Sequence, residues 1–342
     1  MTKQTIPPFA CSGALQATPE SNPTRRSPEP LRATHATGAI DSRPADVEAL
    51  PHMILTLGKG AESALPDRIE LRAGLPPVRD QGAQGSCVGW ASAYYCYSYA
   101  VGKQLGATAA QMRTPEYQFS PAYVFNRRPR RGIAGMSIAE AITLLRDGCA
   151  KLVDFPYDAT RESPVPGRLR ESAEAFALET GYVVWHRNSP KPSRLELDAI
   201  RLYLAEQRLP MVVGMLVAPS FHAASGNRIY PGPTAREMDR MRTEPRAKRR
   251  SGLHAMALVG YDRKRSSFLL VNSWGDRWGD RGFLWVDEAY VTACLNEVWA
   301  ILPGGPTILG RGDFPLPRSI NRRGDVRLDL GRSVTKSGVR AT

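Results

Sequence analysis

The stretch Q-G-A-Q-G-S-C-V-G-W-A-S-A, residues 81–93, carries a cysteine at the point where a glycine-rich turn gives way to a helical run. Ser86 precedes the first apolar residues of that run, which continues, rich in Ala and aromatics, to Val101. Unpaired N–H groups and the positive dipole end at a helix start favour a thiolate, so the Cys87 thiol is expected below its ordinary pKa of about 8.5. A thiolate is a nucleophile, and backbone donors in the same turn can hold a developing oxyanion.

Two later segments fit the same chemistry. G-L-H-A-M-A-L-V-G-Y-D, residues 252–262, reads as a strand that begins with His254. F-L-L-V-N-S-W-G-D-R-W-G-D-R-G-F, residues 268–283, reads as the next strand, with Asn272 at its end. Neighbouring strands would bring Asn272 beside His254 as the group that orients its imidazole. A cysteine, a histidine and an orienting amide are the parts of an activated nucleophile.

These segments resemble the papain family of cysteine peptidases, in particular its shorter bacterial members. Gln81 stands six residues before Cys87, as in the family's opening motif. Gly252–Tyr261 matches its Gly-x-His-Ala-x-x-x-x-Gly-Tyr pattern, and Asn272–Phe283 its Asn-Ser-Trp-Gly-x-x-Trp-Gly-x-x-Gly-[FY] stretch. Gly135–Asp158 is similar to the family's substrate-cleft segment, and the whole likeness covers about residues 64–302.

The resemblance implies an α+β, two-lobed fold. A helical lobe would hold Cys87, a strand-rich, barrel-like lobe would hold His254 and Asn272, and the active site would lie in the cleft between them. It implies a cysteine endopeptidase (a hydrolase) that works through a thioester, without cofactor or metal. Cys87 would be the nucleophile, His254 the base and later acid, Asn272 the orienter and Gln81 an oxyanion donor. Trp274 would shield the His–Asn hydrogen bond. Gly135, Met136, Leu253 and Trp274 would line the substrate site, and a protein or peptide would be the substrate. The alternatives are acyl transfer or deamidation by the same residues, or an inactive scaffold that binds peptides.

Departures from the family pattern are equally plain. Val88 stands where the family has Trp after the nucleophile, and Gln84 stands at a usual half-cystine position. No long helical prosegment with the family's spaced pattern is read before the body, which puts autoinhibition of the usual kind in doubt.

Composition bounds the rest. The chain has 342 residues, 42% hydrophobic and 23% charged, enough to bury a substantial core. Its five cysteines, Cys11, Cys87, Cys96, Cys149 and Cys294, show no metal-ligand spacing and no paired short spacings. No window approaches 18 apolar residues, so no membrane span is expected. The formal charge of +13 sits mostly in three places: residues 1–45, 234–251 and 303–342. The remaining body is nearly neutral, which argues against a folded nucleic-acid-binding face.

The expected organisation is a disordered segment 1–63, serving as secretion signal or short prosegment, then a peptidase domain 64–302. Within the domain, 64–182 is read as mainly helical and 183–302 as mainly strands, with a solvated basic insertion at 234–251. A basic flexible tail, 303–342, follows. The acid-free first 19 residues and the missing half-cystine suit a bacterial effector sent into a reducing host cytosol, with host proteins as targets; the alternative is the bacterial cytoplasm.

Overall fold

The computed structural model describes residues 35–58, 65–190, 192–244, 251–303 and 325–330. Its strands, in chain order, are β1 (Ala39–Ile40), β2 (Met53–Leu57), β3 (Arg68–Glu70), β4 (Met136–Ser137), β5 (Leu178–His186) and β6 (Met211–Val217). After these come β7 (Gly252–Asp262), β8 (Ser267–Val271), β9 (Phe283–Asp287), β10 (Leu295–Pro303) and β11 (Val326–Leu330). One sheet runs β5-β10-β6-β7-β8-β9, with β3 also on β7, and every pairing in it is antiparallel. β6, M-V-V-G-M-L-V, is buried throughout, as an apolar strand must be when both sheet faces are covered.

The helical lobe is built around one continuous run. It starts as the helical turn Cys87–Gly89, widens to i→i+5 bonding over Trp90–Tyr97 and finishes as the helix Ser98–Gln104. All of residues 87–97 are buried. A second helix, Ile138–Arg146, begins with a capping box in which the Ser137 hydroxyl accepts from the Glu140 amide and the Glu140 carboxylate accepts from the Ser137 amide. Such a cap contributes about 1 kcal/mol. The buried Ile138, Ile142 and Leu145 on this helix form the face expected from their spacing. The helix Arg194–Glu206 opens on an equivalent box between Ser193 and Glu196. The fold is thus the expected α+β, with helices on one side of the cleft and the sheet on the other.

Four boundaries need correction. First, residues 1–63 are not structureless as a whole. β1 pairs in parallel with β4, the helix Pro44–Glu48 follows, and Val47, Leu50 and Met53 are buried in the common core. The reason is the apolar content of 47–57, which the low-complexity character of the first 45 residues masked. Second, the basic insertion is not simply a solvated loop: Thr234 caps the helix Ala235–Thr243, which buries Met238 and Met241 while its arginines face outward. Third, the tail contributes β11, parallel to β2, so it is ordered there. Fourth, the division at 182 falls inside β5, which begins at Leu178, and β3 joins the sheet from within the range read as mainly helical. Residues 1–34, which carry the secretion-signal expectation and Cys11, lie outside the described residues.

Candidate active site

Sheet register brings the histidine and the asparagine together. His254 lies on β7, and Asn272 directly follows β8, which pairs with the same strand through Ala257 and Val271. The His254 Nε2–H donates to Asn272 Oδ1 at 2.7 Å. The same oxygen accepts from the Ser273 amide at 2.8 Å, which fixes the orientation of the Asn272 amide. With its proton on Nε2, the neutral ring keeps its lone pair on Nδ1, the arrangement a base requires. Trp274 lies against the imidazole, ring centroids 4.5 Å apart. His222 stacks on Trp274 as well, at 4.5 Å and 11°.

Cys87 starts the central helical run and is fully buried. The amides of Ala255, Gly38, Val88 and Cys87 itself are directed at its sulfur. The Ala255 amide, next along from His254, therefore places the β7 strand against the nucleophile. Gln81 is held on three sides. Its amide donates to the Ser273 carbonyl at 2.8 Å, its Oε1 accepts from the Ser273 hydroxyl at 2.6 Å, and its carbonyl accepts from the Tyr157 hydroxyl at 2.8 Å. Tyr95, on the Cys87 helix, donates to the Asn272 carbonyl at 3.0 Å and ties the two walls together. Ser273, Tyr157 and Tyr95 were not picked out from the sequence. Ser273 sits inside the Asn-Ser-Trp motif and Tyr157 inside F-P-Y-D, so their positions were visible although their roles were not.

The cleft is occupied by the chain's own residues 35–42. His35 lies over Trp274 and contacts Asp80 at 3.0 Å. The Ala36 carbonyl accepts from Gln81 Nε2 at 3.0 Å, so the side-chain donor expected to serve an oxyanion already holds a peptide oxygen. The Gly38 carbonyl accepts from the Met136 amide at 3.1 Å, and β1 continues along β4. On the opposite wall, a Cβ built at Gly252, beside Leu253, would lie 2.7 Å from Thr37 Oγ1. Gly135 and Gly38 are both required by closeness: a Cβ at Gly135 would lie 2.3 Å from the Gly38 carbonyl oxygen, and one at Gly38 would lie 2.0 Å from that of Gly85. Of the expected substrate-site residues, Gly135, Met136 and Trp274 thus touch this segment, and Leu253 borders it.

This occupancy overturns one electrostatic expectation. Burial pushes the Cys87 thiol up, and the four amides offset this only in part. Burial likewise lowers His254, to about 3, against the raising effect of the Asn272 hydrogen bond. Burial thus disfavours the charged form of both groups while residues 35–42 stay in place. Desolvation of the charged forms outweighs the dipole and amide terms once water is excluded.

No disulfide joins the four described cysteines; Cys96, Cys149 and Cys294 are buried in the core. Among the described residues no cluster of His, Cys, Asp and Glu is arranged to hold a metal, and no helix is long and apolar enough to cross a membrane.

The profile described as papain family cysteine protease matches residues 65–302. The chain belongs to the papain family of cysteine proteases. Among curated relatives, cysteine proteinase 3 of Entamoeba histolytica is 25% identical over 231 residues, covering 66% of this chain and 64% of the relative. The chain thus spans somewhat less than two thirds of that relative's length. Among solved structures, xylellain, a cysteine protease from Xylella fastidiosa, superposes with a TM-score of 0.60 at 23% identity, covering 81% of this chain and 99% of that one. Bromelain from Ananas comosus, in complex with the E64 inhibitor, gives a TM-score of 0.52 at 18% identity, covering 70% and 99%. At these identities the structural likeness establishes the papain-like fold.

Proposed function

We propose that this papain-family chain is a cysteine endopeptidase held shut by its residues 35–42. The observation that carries the reading is the convergence on one peptide: Gly38 lies on the Cys87 sulfur while the Ala36 carbonyl occupies the Gln81 amide. A cleft that binds a main chain across a thiol, with a carbonyl in the oxyanion position, is laid out for peptide-bond chemistry.

With the segment withdrawn, water reaches the pair and the thiol proton passes to His254 Nδ1. The thiolate attacks the scissile carbonyl. Gln81 Nε2 and the Cys87 amide receive the oxyanion, and His254 returns the proton to the leaving amine. Water, deprotonated by His254, then hydrolyses the thioester. Asn272 keeps the imidazole oriented throughout.

Cys87→Ala tests this directly. The variant is expected to lose all cleavage of a peptide library and all labelling by an epoxide-type thiol reagent, with an unchanged circular dichroism spectrum. Cleavage that persists in Cys87→Ala would sink the assignment. A product whose mass shifts without chain scission would point instead to deamidation or acyl transfer.

A further inference from the structure

Resting on the peptidase reading, we propose that Tyr157 is a positioning residue that holds the two oxyanion donors, Gln81 Nε2 and the Cys87 amide, at their working separation. Its phenol bridges the two ends of the turn that carries them. The Tyr157 hydroxyl donates to the Gln81 carbonyl at 2.8 Å and lies 2.7 Å from Ser86 Oγ. A phenol has one proton, and a carbonyl can only accept. That proton is therefore committed to Gln81, and the Ser86 hydroxyl must be the donor in the second bond. The chain runs from Ser86 O–H to Tyr157 O–H to the Gln81 carbonyl, and hydrogen bonds in such a chain polarise one another. Gln81 and Ser86 are both buried, so water does not compete at either end.

The turn lacks the cross-link that the family's half-cystine would give it. Gln84 stands at that position, and the four described cysteines form no disulfide. The Gln84 carbonyl instead accepts from Gln81 Nε2 and from the Ser86 amide, each at 2.8 Å, bonds that close the turn on itself. Tyr157 supplies a tie from outside, and its own base is firm. The Ser120 hydroxyl donates to the Phe155 carbonyl at 2.6 Å, and the Phe155 amide donates to the Lys151 carbonyl at 3.1 Å. The Tyr157 ring stands edge-on to Trp90, centroids 4.7 Å apart, on the same helical run as Cys87. The loop also closes on Gly82, where a Cβ would lie 3.0 Å from that of Ala159.

None of the three bridged groups belongs to residues 35–42, so the bridge outlasts their withdrawal. Gln81 Nε2 carries two protons; one goes to the Gln84 carbonyl and the other to the Ala36 carbonyl. When the segment leaves, the second proton is the one left for an oxyanion. Its aim depends on where the Gln81 backbone stands, and Tyr157 holds that backbone by its carbonyl. The same phenol holds Ser86, and the next amide along is the other donor. Burial raises the Tyr157 phenol above its ordinary value, against the lowering effect of the Ser86 hydrogen bond, so the bridge keeps its proton through the neutral range. Donors aimed before charge develops are what an oxyanion site needs, and a small misplacement lowers the rate without lowering substrate affinity.

The test uses the full-length chain carrying Gly38→Ala, whose added methyl cannot fit against Gly85, and compares Tyr157 with Tyr157→Phe in that background. Two rates are read. Peptide cleavage builds an oxyanion. Attack of the Cys87 thiolate on a dipyridyl disulfide does not: the thiolate bonds to one sulfur of the reagent, and the other departs as pyridinethiolate. Tyr157→Phe is expected to lower kcat about tenfold, with KM and the disulfide rate within about twofold of the parent. Ser86→Ala, which removes the far end of the chain, is expected to lower kcat less, and to add nothing on top of Tyr157→Phe. An unchanged kcat in Tyr157→Phe overturns the proposal. So does an equal fall in both rates, which would make Tyr157 a support of the fold alone. A Gly38→Ala parent that reacts with the disulfide yet cleaves no peptide overturns the peptidase reading and this proposal with it. Should Tyr157→Phe fail to fold, Ser86→Ala carries the same comparison with the same outcomes, and the otherwise native chain serves should Gly38→Ala fail.

Discussion

Gln81 shows how much one residue's surroundings decide its use. Its amide Nε2 points to a peptide carbonyl because its Oε1 is taken by Ser273 Oγ and its main chain is fastened to the Ser273 carbonyl and the Tyr157 hydroxyl. A donor fixed before the charge develops needs no reorganisation in the transition state. Gln81→Ala is therefore expected to lower kcat by about 10²–10³-fold with little change in KM. It should be measured in the Gly38→Ala background, because Gln81 also helps to hold Ala36 and its loss alone would loosen the segment. A kcat within twofold of the parent would remove Gln81 from the oxyanion site. This proposed role comes from the family resemblance that the Gln81–Cys87 spacing helps to carry. The protonation states were not legible in the sequence: a helix-start cysteine should be acidic, yet the thiol is raised because a segment remote in sequence excludes water from it.

Among the elements, the short ones carry the surprises. Amphipathic helices such as Ile138–Arg146 and Arg194–Glu206, and apolar strands such as β6, could be read almost to the residue. Their periodicity and caps are local signals. β1 could not, since two residues have no period and the strand they pair with, β4, is nearly a hundred positions away. The same holds for β11 on β2, a pairing across most of the chain. What fixes β1 in the cleft is close approach: the absent side chain of Gly38 lets its backbone lie against Gly85. Gly38→Ala adds a methyl where a backbone oxygen stands, and overpacking of this kind costs about 1–3 kcal/mol. The full-length variant should therefore cleave peptides and react with thiol reagents about ten times faster than the parent chain. Equal rates in parent and variant would show that residues 35–42 do not limit access to Cys87.

Across the whole molecule, occlusion and proton uptake are coupled at the floor of the cleft. With residues 35–42 in place, burial raises the Glu297 carboxyl from its ordinary 4.5 to about 7, opposed by its hydrogen bonds to Ser42 and Trp299. Withdrawal of the segment re-admits water and returns the group toward its ordinary value, so the closed form is the one that holds the extra proton. The sign follows: a pKa raised in the closed form contributes to closure fully below about 4.5 and loses that contribution as pH rises through 7. Asp41 on the segment reinforces the shift, since two acids brought together favour protonation. His186, on β5, acts in the other direction: burial lowers its pKa, so acid favours opening through that group, and the Glu297 limb is best read above pH 6.5. Between pH 6.5 and 8 the Cys87 thiol of the full-length chain should become progressively more accessible. Thiol ionisation also accelerates labelling over this range, so the informative quantity is the ratio of rates in the parent chain and in Glu297→Gln. That ratio should rise with pH as the parent's segment loosens while the variant's does not respond. A ratio flat across the range would show that Glu297 keeps its proton affinity when the cleft opens, and that closure is held by backbone contacts at Gly38 and Ala36 alone.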